Sequence, residues 1–189
     1  MRIYTPPDAK LVPKEANKVF AGTIYDVYQW EQELFDGSKK TFEMLKRPDT
    51  VEVIGVVDDQ IVVNYEEQPD MKFITIPGGR HDEEEETELD AAKREMQEET
   101  GYQFKNWKLI TARQAATKIE HMIYTFLATN VIELGSKNLD AGERIETKLV
   151  SFPDLKQLIE DPEFKYCPHA LTEVATLDKL LALPALHNY

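Results

Sequence analysis

Apolar and polar positions alternate over residues 19–29 and again over 41–45, with Phe35-Asp-Gly-Ser-Lys-Lys as a turn between them. A period of two predicts extended strands, so this part of the chain reads as hairpin-rich. Arg47-Pro-Asp breaks the pattern. Two apolar runs follow, over 51–57 and 61–65, joined by Asp58-Asp59, and they predict a second hairpin of buried strands. Phe73-Ile-Thr-Ile runs as a strand into Pro77-Gly78-Gly79, a flexible loop. The pattern then changes to a helical one. Leu89, Ala92 and Met96 form one stripe, Thr87 and Asp90 have the spacing of a capping box, and Gly101 sits where a helix stops. A helix over 88–100 is expected. Further strands are predicted over 107–112, 121–129 and 148–152, and helices over 153–160 and 168–182, the first opened by proline. No internal repeat occurs, and the mixture of elements points to an α/β or α+β domain.

A chain of 189 residues suits one well-cored domain with room for a small subdomain. Its 22 basic against 35 acidic residues leave a net charge of −13. Such a surface repels polyphosphate backbones and anionic bilayers, so no nucleic-acid or membrane partner is expected. A small phosphorylated molecule stays within reach if metal cations supply positive charge. The single cysteine, Cys167, excludes an internal disulfide and a thiolate-only zinc site, and it reads as packed rather than reactive. No apolar run approaches the roughly 20 residues of a membrane span. The opening residues have no apolar secretion-signal core, and a cytoplasmic protein is expected.

The charge is concentrated. Residues 82–99 hold ten acids against Lys93 and Arg94, which is eight of the thirteen net negative charges. Glu95, Glu98 and Glu99 stand at i, i+3 and i+4, so their carboxylates crowd one helix face. Like charges at that spacing cost a few tenths of a kcal/mol. Two of them also lie in the last turn, where the helix dipole disfavours anions by roughly 0.3–1 kcal/mol each. A hard divalent cation reverses both penalties, because Mg²⁺ takes carboxylate, carbonyl and phosphate oxygens. Arg94 can pair with Glu98 one turn on. The plain alternative is a solvated acidic helix; an alternating Asp/Asn calcium loop is not present.

Gly79, Glu86 and Arg94-Glu95-Met96-Gln97-Glu98-Glu99-Thr100-Gly101-Tyr102 together resemble the signature box of the Nudix hydrolases, at about 79–101. The box spacing is kept from Glu86 onward, whereas six residues rather than five separate Gly79 from Glu86, which places one extra residue in the loop over 80–85. Phe20-Ala-Gly-Thr-Ile-Tyr-Asp-Val, Leu45-Lys-Arg-Pro-Asp-Thr-Val-Glu-Val-Ile and Ile76-Pro-Gly-Gly resemble the ADP-ribose and nucleoside-diphosphate-sugar pyrophosphatase branch, as does Ala141-Gly-Glu-Arg-Ile-Glu. The resemblance implies a three-layer α/β/α fold with a mixed sheet. It divides the chain into an N-terminal β subdomain over 1–46, a dimerisation arm in relatives, and a hydrolase domain over 47–189.

The same resemblance implies Mg²⁺, with Mn²⁺ as a substitute, held by Glu95, Glu98, Glu99 and the carbonyl of Gly78. Arg94 and Glu86 would orient that cluster, unless they are simply a structural ion pair. It places a catalytic base at Glu143, with Glu146 as the alternative, and substrate contacts at Tyr28, Trp30 and Arg80. Tyr28 and Trp30 at alternating spacing are equally readable as sheet packing. The implied reaction is hydrolysis of a nucleoside diphosphate sugar to a nucleoside monophosphate and a sugar phosphate, by a homodimer. Two departures widen the substrate range beyond ADP-ribose towards hexose sugars. Residues 114–118 contain no proline, and Asn64-Tyr65-Glu66-Glu67-Gln68-Pro69 lacks the arginine of the branch's Gln-Tyr-Arg-Pro segment. A silent nucleotide-binding module and an enzyme of dinucleotides or nucleoside triphosphates are the other readings.

Overall fold

The computed structural model describes residues 2–83 and 85–187. The strands are β1 (Asn17–Ala21), β2 (Asp26–Glu33), β3 (Lys39–Lys46), β4 (Asp49–Val57), β5 (Gln60–Gln68), β6 (Met71–Thr75), β7 (Gly78–His81), β8 (Tyr102–Ala116), β9 (Ile119–Leu134) and β10 (Arg144–Ser151). The helices are α1 (Glu88–Thr100), α2 (Phe152–Leu158), α3 (His169–Glu173) and α4 (Leu177–Leu181).

The Asp58-Asp59 hairpin forms as expected. Both aspartates are left-handed, with φ of 47° and 62°, the pair of conformations a type I′ turn requires. Beyond that turn its two strands part: β4 and β5 pair only at Val56↔Ile61 and Val57↔Gln60. β4 continues beside β9, parallel from Thr50 to Gly55, and antiparallel to β7. β5 instead takes β6 and β10 as neighbours. The result is a wedge between two walls of one curled mixed sheet.

Alternation along β4 distributes its side chains to two cores. Val51, Val53 and Val57 meet Ala91, Ala92 and Met96 of α1, while Ile54 and Val56 join Phe152 and Leu155 of α2 with Leu171 and Leu180. Helices therefore cover both faces of the sheet, the α/β arrangement expected. No helix among the described residues is long and apolar enough to cross a membrane.

β1, β2 and β3 form an antiparallel meander whose strand pairing with the rest, among the described residues, is at Leu45↔Ile119 and Lys46↔Glu120. The boundary expected after residue 46 falls between β3 and β4. Residues 2–12, however, lie against the larger part. Arg2 forks onto Asp49 at 2.8 and 2.9 Å, and the amides of Ile3 and Tyr4 donate to Glu88 at 2.6 and 2.9 Å. Tyr124 donates to the Tyr4 carbonyl at 2.7 Å, and the Val12 amide donates to Glu120 at 2.6 Å.

Four readings depart from expectation. Gly78 and Gly79, expected in a flexible loop, open strand β7, because β4 lies beside them as an antiparallel partner. The alternating run 19–29 is two strands, β1 and β2, because Gly22 and Tyr25 close a turn inside it (N···O 3.1 Å). The helix expected over 168–182 is split into α3 and α4: Val174 is extended, and the Thr176 hydroxyl starts a new helix by accepting from the Lys179 amide. A threonine hydroxyl competes for backbone donors in this way, which favours caps over helix interiors. β8 and β9 run to 15 and 16 residues, far beyond their apolar centres.

Helix α1 begins and ends as its sequence specifies, with both halves of the Thr87–Asp90 capping box made and Gly101 left-handed at φ 80°. A Cβ there would also press on the Gly135 carbonyl. Gly101→Ala therefore costs at least about 1–2 kcal/mol, a fall in melting temperature of about 2–8 °C for a chain of this size. Thermal unfolding followed by circular dichroism measures it, and an unchanged midpoint would contradict the strain.

Candidate active site

The C-terminal half of α1 faces the wedge. Glu99 is buried, and its Oε2 accepts from Asn64 Nδ2 at 2.9 Å and from the Gly78 amide at 3.1 Å. Asn64 is itself fixed from the other side: Thr147 donates to its Oδ1 at 2.9 Å, and Lys137 donates to Thr147 at 2.7 Å. Strand register explains why Gly78 is available. The Val53 amide bonds to Pro77 and Val51 pairs with Gly79, so the polar groups of Gly78 point away from β4. At Gly79 the space a Cβ would fill is occupied by the Glu95 carboxyl. Glycine at that position lets backbone and carboxylate approach.

Arg94 ties the face together. It forks onto Glu86 (2.8 and 3.2 Å), donates to Glu95 at 2.9 Å and to Glu98 at 3.2 Å, and donates to the Arg80 carbonyl at 2.9 Å. The hydrogen bond to Glu86, with the charge of Glu95, holds its pKa above the ordinary arginine value. His81 secures the same loop, with its Nε2 2.7 Å from the Glu86 carbonyl. Within that loop the backbone turns through a left-handed conformation at Glu85 (φ 62°). Glu84, inside the stretch expected to carry the extra residue, lies outside the described residues.

The wedge encloses a cavity of about 670 Å³. Of the residues singled out from sequence, Gly78, Arg80, Arg94, Glu95, Glu98, Glu99 and Glu143 line it. Glu86 stands behind Arg94. Glu146 lies on β10, exposed and 3.4 Å from Lys148. Tyr28 and Trp30 lie on β2, outside the lining; Trp30 tilts against Phe42 with ring centres 6.1 Å apart. Cys167 is packed, and burial pushes its thiol up to about 11.

Burial and mutual repulsion shape the acids. Burial raises Glu95 to about 7, opposed by Arg94 and assisted by Glu98 and Glu143. Burial, with Glu66 and Glu95 beside it, holds Glu99 well above the ordinary carboxylate range. Glu143 is raised by burial and by Asp140. Glu66, on β5, is raised to about 7 by burial and by Glu143.

Among the described residues, no three acidic, histidine or cysteine side chains converge on one point. Arg94 engages Glu95 and Glu98, and Asn64 engages Glu99. The donor set nevertheless fits a hard divalent cation. It is all oxygen, and burial makes Glu95 and Glu99 hard to ionise until a cation compensates them.

Sequence reasoning missed Asn64, Glu66, Glu52, Arg47, Arg113 and His121, all of which line the cavity or hold its acids. A signal existed for the first two. Val62, Asn64 and Glu66 share one face of a buried strand, and polar side chains at such positions carry a cost that asks for a partner.

Residues 46–170 match the NUDIX domain family. The chain is 30% identical over 161 residues to the "ADP-ribose pyrophosphatase" of Bacillus subtilis (strain 168), covering 82% of this chain and 85% of the relative. It is 24% identical over 156 residues to the "Methanol dehydrogenase activator" of Bacillus methanolicus, covering 80% of each. Among solved structures it superposes on an "ADP compounds hydrolase" with a TM-score of 0.66 at 19% identity, over 81% of this chain and 84% of the other, a likeness of fold. With the box acids brought to one cavity on that fold, the chain belongs to the Nudix family.

Proposed function

We propose that the chain is a Mg²⁺-dependent pyrophosphatase that hydrolyses nucleoside diphosphate sugars, ADP-ribose first among them, to a nucleoside monophosphate and a sugar phosphate. The observation that carries this reading is the set of mutually destabilised carboxylates, Glu66, Glu95 and Glu99, over one cavity with Glu143. Protein stability alone gives no reason to crowd them. ADP-ribose is the substrate named for the Bacillus subtilis relative.

Glu95, Glu98, Glu99 and the Gly78 carbonyl would hold the cation, with Mn²⁺ as a substitute for Mg²⁺. Bound there, it neutralises diphosphate oxygens and acidifies water. Arg94 orients Glu95 and Glu98, and Asn64 orients Glu99. Glu143 is the base: its carboxylate takes a proton from water as the water oxygen bonds to phosphorus and the bridging P–O bond breaks. Arg80, on the cavity wall, contacts phosphate.

The homodimer implied by the resemblance suits the exposed apolar side chains Val19, Phe20, Ile24 and Tyr25 on and beside β1. Docked against a second copy, this region brings Tyr28 and Trp30 to a base. A cytoplasmic setting fits the single unpaired cysteine.

The test is Mg²⁺-dependent turnover of ADP-ribose, ADP-glucose, GDP-mannose, UDP-glucose, NADH and nucleoside triphosphates, with products identified. ADP-ribose is expected to yield AMP and ribose 5-phosphate. Turnover of triphosphates alone would replace the substrate class, and tight binding without turnover would make the chain a nucleotide-binding module.

A further inference from the structure

The acids just described line one part of the wedge; a different set lines another. Glu52 projects from β4 on the side away from α1 and is 7% exposed. Its place is fixed by a rung across three strands. Thr111 on β8 donates to Thr125 on β9 at 2.8 Å, and Thr125 donates to Glu52 Oε2 at 2.9 Å. Each hydroxyl has one proton, so the chain has a single direction and ends on the carboxylate.

Only one oxygen of Glu52 is used. Oε1 accepts no hydrogen bond among the described residues, and it is not among the buried polar atoms sealed off without a partner. It therefore opens onto the cavity that Glu52 lines. The charged group acting on Glu52 is Arg113, whereas Glu66, Glu95, Glu99 and Glu143 act on one another. Glu52 thus stands electrostatically apart from the candidate metal cluster. Arg113 lines the same cavity, and its guanidinium donates no side-chain hydrogen bond to the described residues. An oriented acceptor and a free forked donor on one wall match a group that both donates and accepts, which is a hydroxyl. The rung runs on to β7, where Glu52 is paired with Gly78. The backbones of Glu52 and Gly78 are thus neighbours, one strand spacing of about 5 Å apart.

We propose that Glu52 and Arg113 form the hydroxyl-recognition subsite for the sugar, with Glu52 Oε1 accepting from a sugar hydroxyl and Arg113 donating to it. The subsite sets selectivity for a sugar-bearing diphosphate over the bare nucleotide. It rests on the substrate class proposed above but not on turnover.

The test compares binding of ADP-ribose and of AMP by calorimetry in wild type, Glu52→Gln and Arg113→Gln, with kcat and KM for ADP-ribose beside it. A site built to hydrogen-bond a hydroxyl loses strongly when its partner is removed. Each variant is expected to weaken ADP-ribose about tenfold or more, to leave AMP within about twofold, and to raise KM with kcat within about threefold. Equal weakening of both ligands, or of neither, overturns the assignment. So does a wild type that binds ADP-ribose no more tightly than AMP. A wild type that binds ADP-ribose selectively without hydrolysing it removes the proposed activity and still lets the variants decide the subsite. Arg113→Gln keeps the test open if the buried Glu52 variant does not fold.

Discussion

Glu99→Gln is expected to lower kcat/KM for ADP-ribose by about a thousandfold or more, equivalent to about 4 kcal/mol of lost transition-state stabilisation. The amide preserves the shape of the side chain, and its oxygen can still accept from Asn64 and the Gly78 amide, but an NH2 then stands where the second, anionic oxygen would meet the cation. The same variant has a second readout without substrate. Burial pushes Glu95 and Glu66 up to about 7, above free glutamate, and Glu99 is likewise held well above the ordinary carboxylate range. Raised carboxylates contribute stability that is present below about pH 4.5 and lost as pH rises through about 7. The metal-free wild type should therefore melt at lower temperature at pH 8 than at pH 5, and Mg²⁺ at pH 8 should restore the difference. Metal-free Glu99→Gln should melt above the metal-free wild type at pH 8 and gain little from Mg²⁺. Activity within tenfold of wild type, or an undiminished Mg²⁺ shift, would remove Glu99 from the metal site.

Arg94→Met should be the most destabilising exchange on this face, at about 2–4 kcal/mol. The methionine keeps the aliphatic stem but removes the fork onto Glu86, the tether to Arg80 and the only cation holding Glu95 and Glu98 among the described residues. Loss of one partner from a buried pair costs about 3–5 kcal/mol; Arg94 is one-fifth exposed, so water recovers part. Activity should fall about 10–100-fold in a folded sample, as for other residues that orient metal ligands. Arg94→Lys, with charge but no fork, should lie between. A double-mutant cycle with Glu86→Gln in chemical denaturation isolates the pair. Additive losses would mean that the fork is incidental and that the two side chains act separately.

How much of this was legible depends on the range of the interactions involved. α1 could be read whole, because its cap, stripe and glycine stop are local, and so could the Asp58-Asp59 turn. The crowding of Glu95, Glu98 and Glu99 was also legible, as a violation of local electrostatics that the single cation of Arg94 offsets only in part. The long β8–β9 hairpin was not: residues such as Gln114 and Glu133 have no strand pattern of their own and are extended because a partner strand lies beside them. The partners of Asn64 and Glu52 were likewise hidden, although a polar Asn64 within a buried strand was itself a signal. Asn64 reaches Glu99, and Glu52 lines the cavity, only because β4 and β5 separate after two residue pairs, a property of the assembled sheet. Tyr28 and Trp30 show the converse: strand alternation placed them correctly on one face, but could not say what that face meets.

The docking of residues 2–12 has a consequence for synthesis. Arg2, Ile3 and Tyr4 are translated before their partners, Asp49, Glu88 and the hydroxyl of Tyr124. At about 5–20 residues per second, about 6–24 s pass between the emergence of Tyr4 and that of Tyr124. Over that interval residues 2–4 lack their full set of partners, so they settle only after much of the chain that follows them.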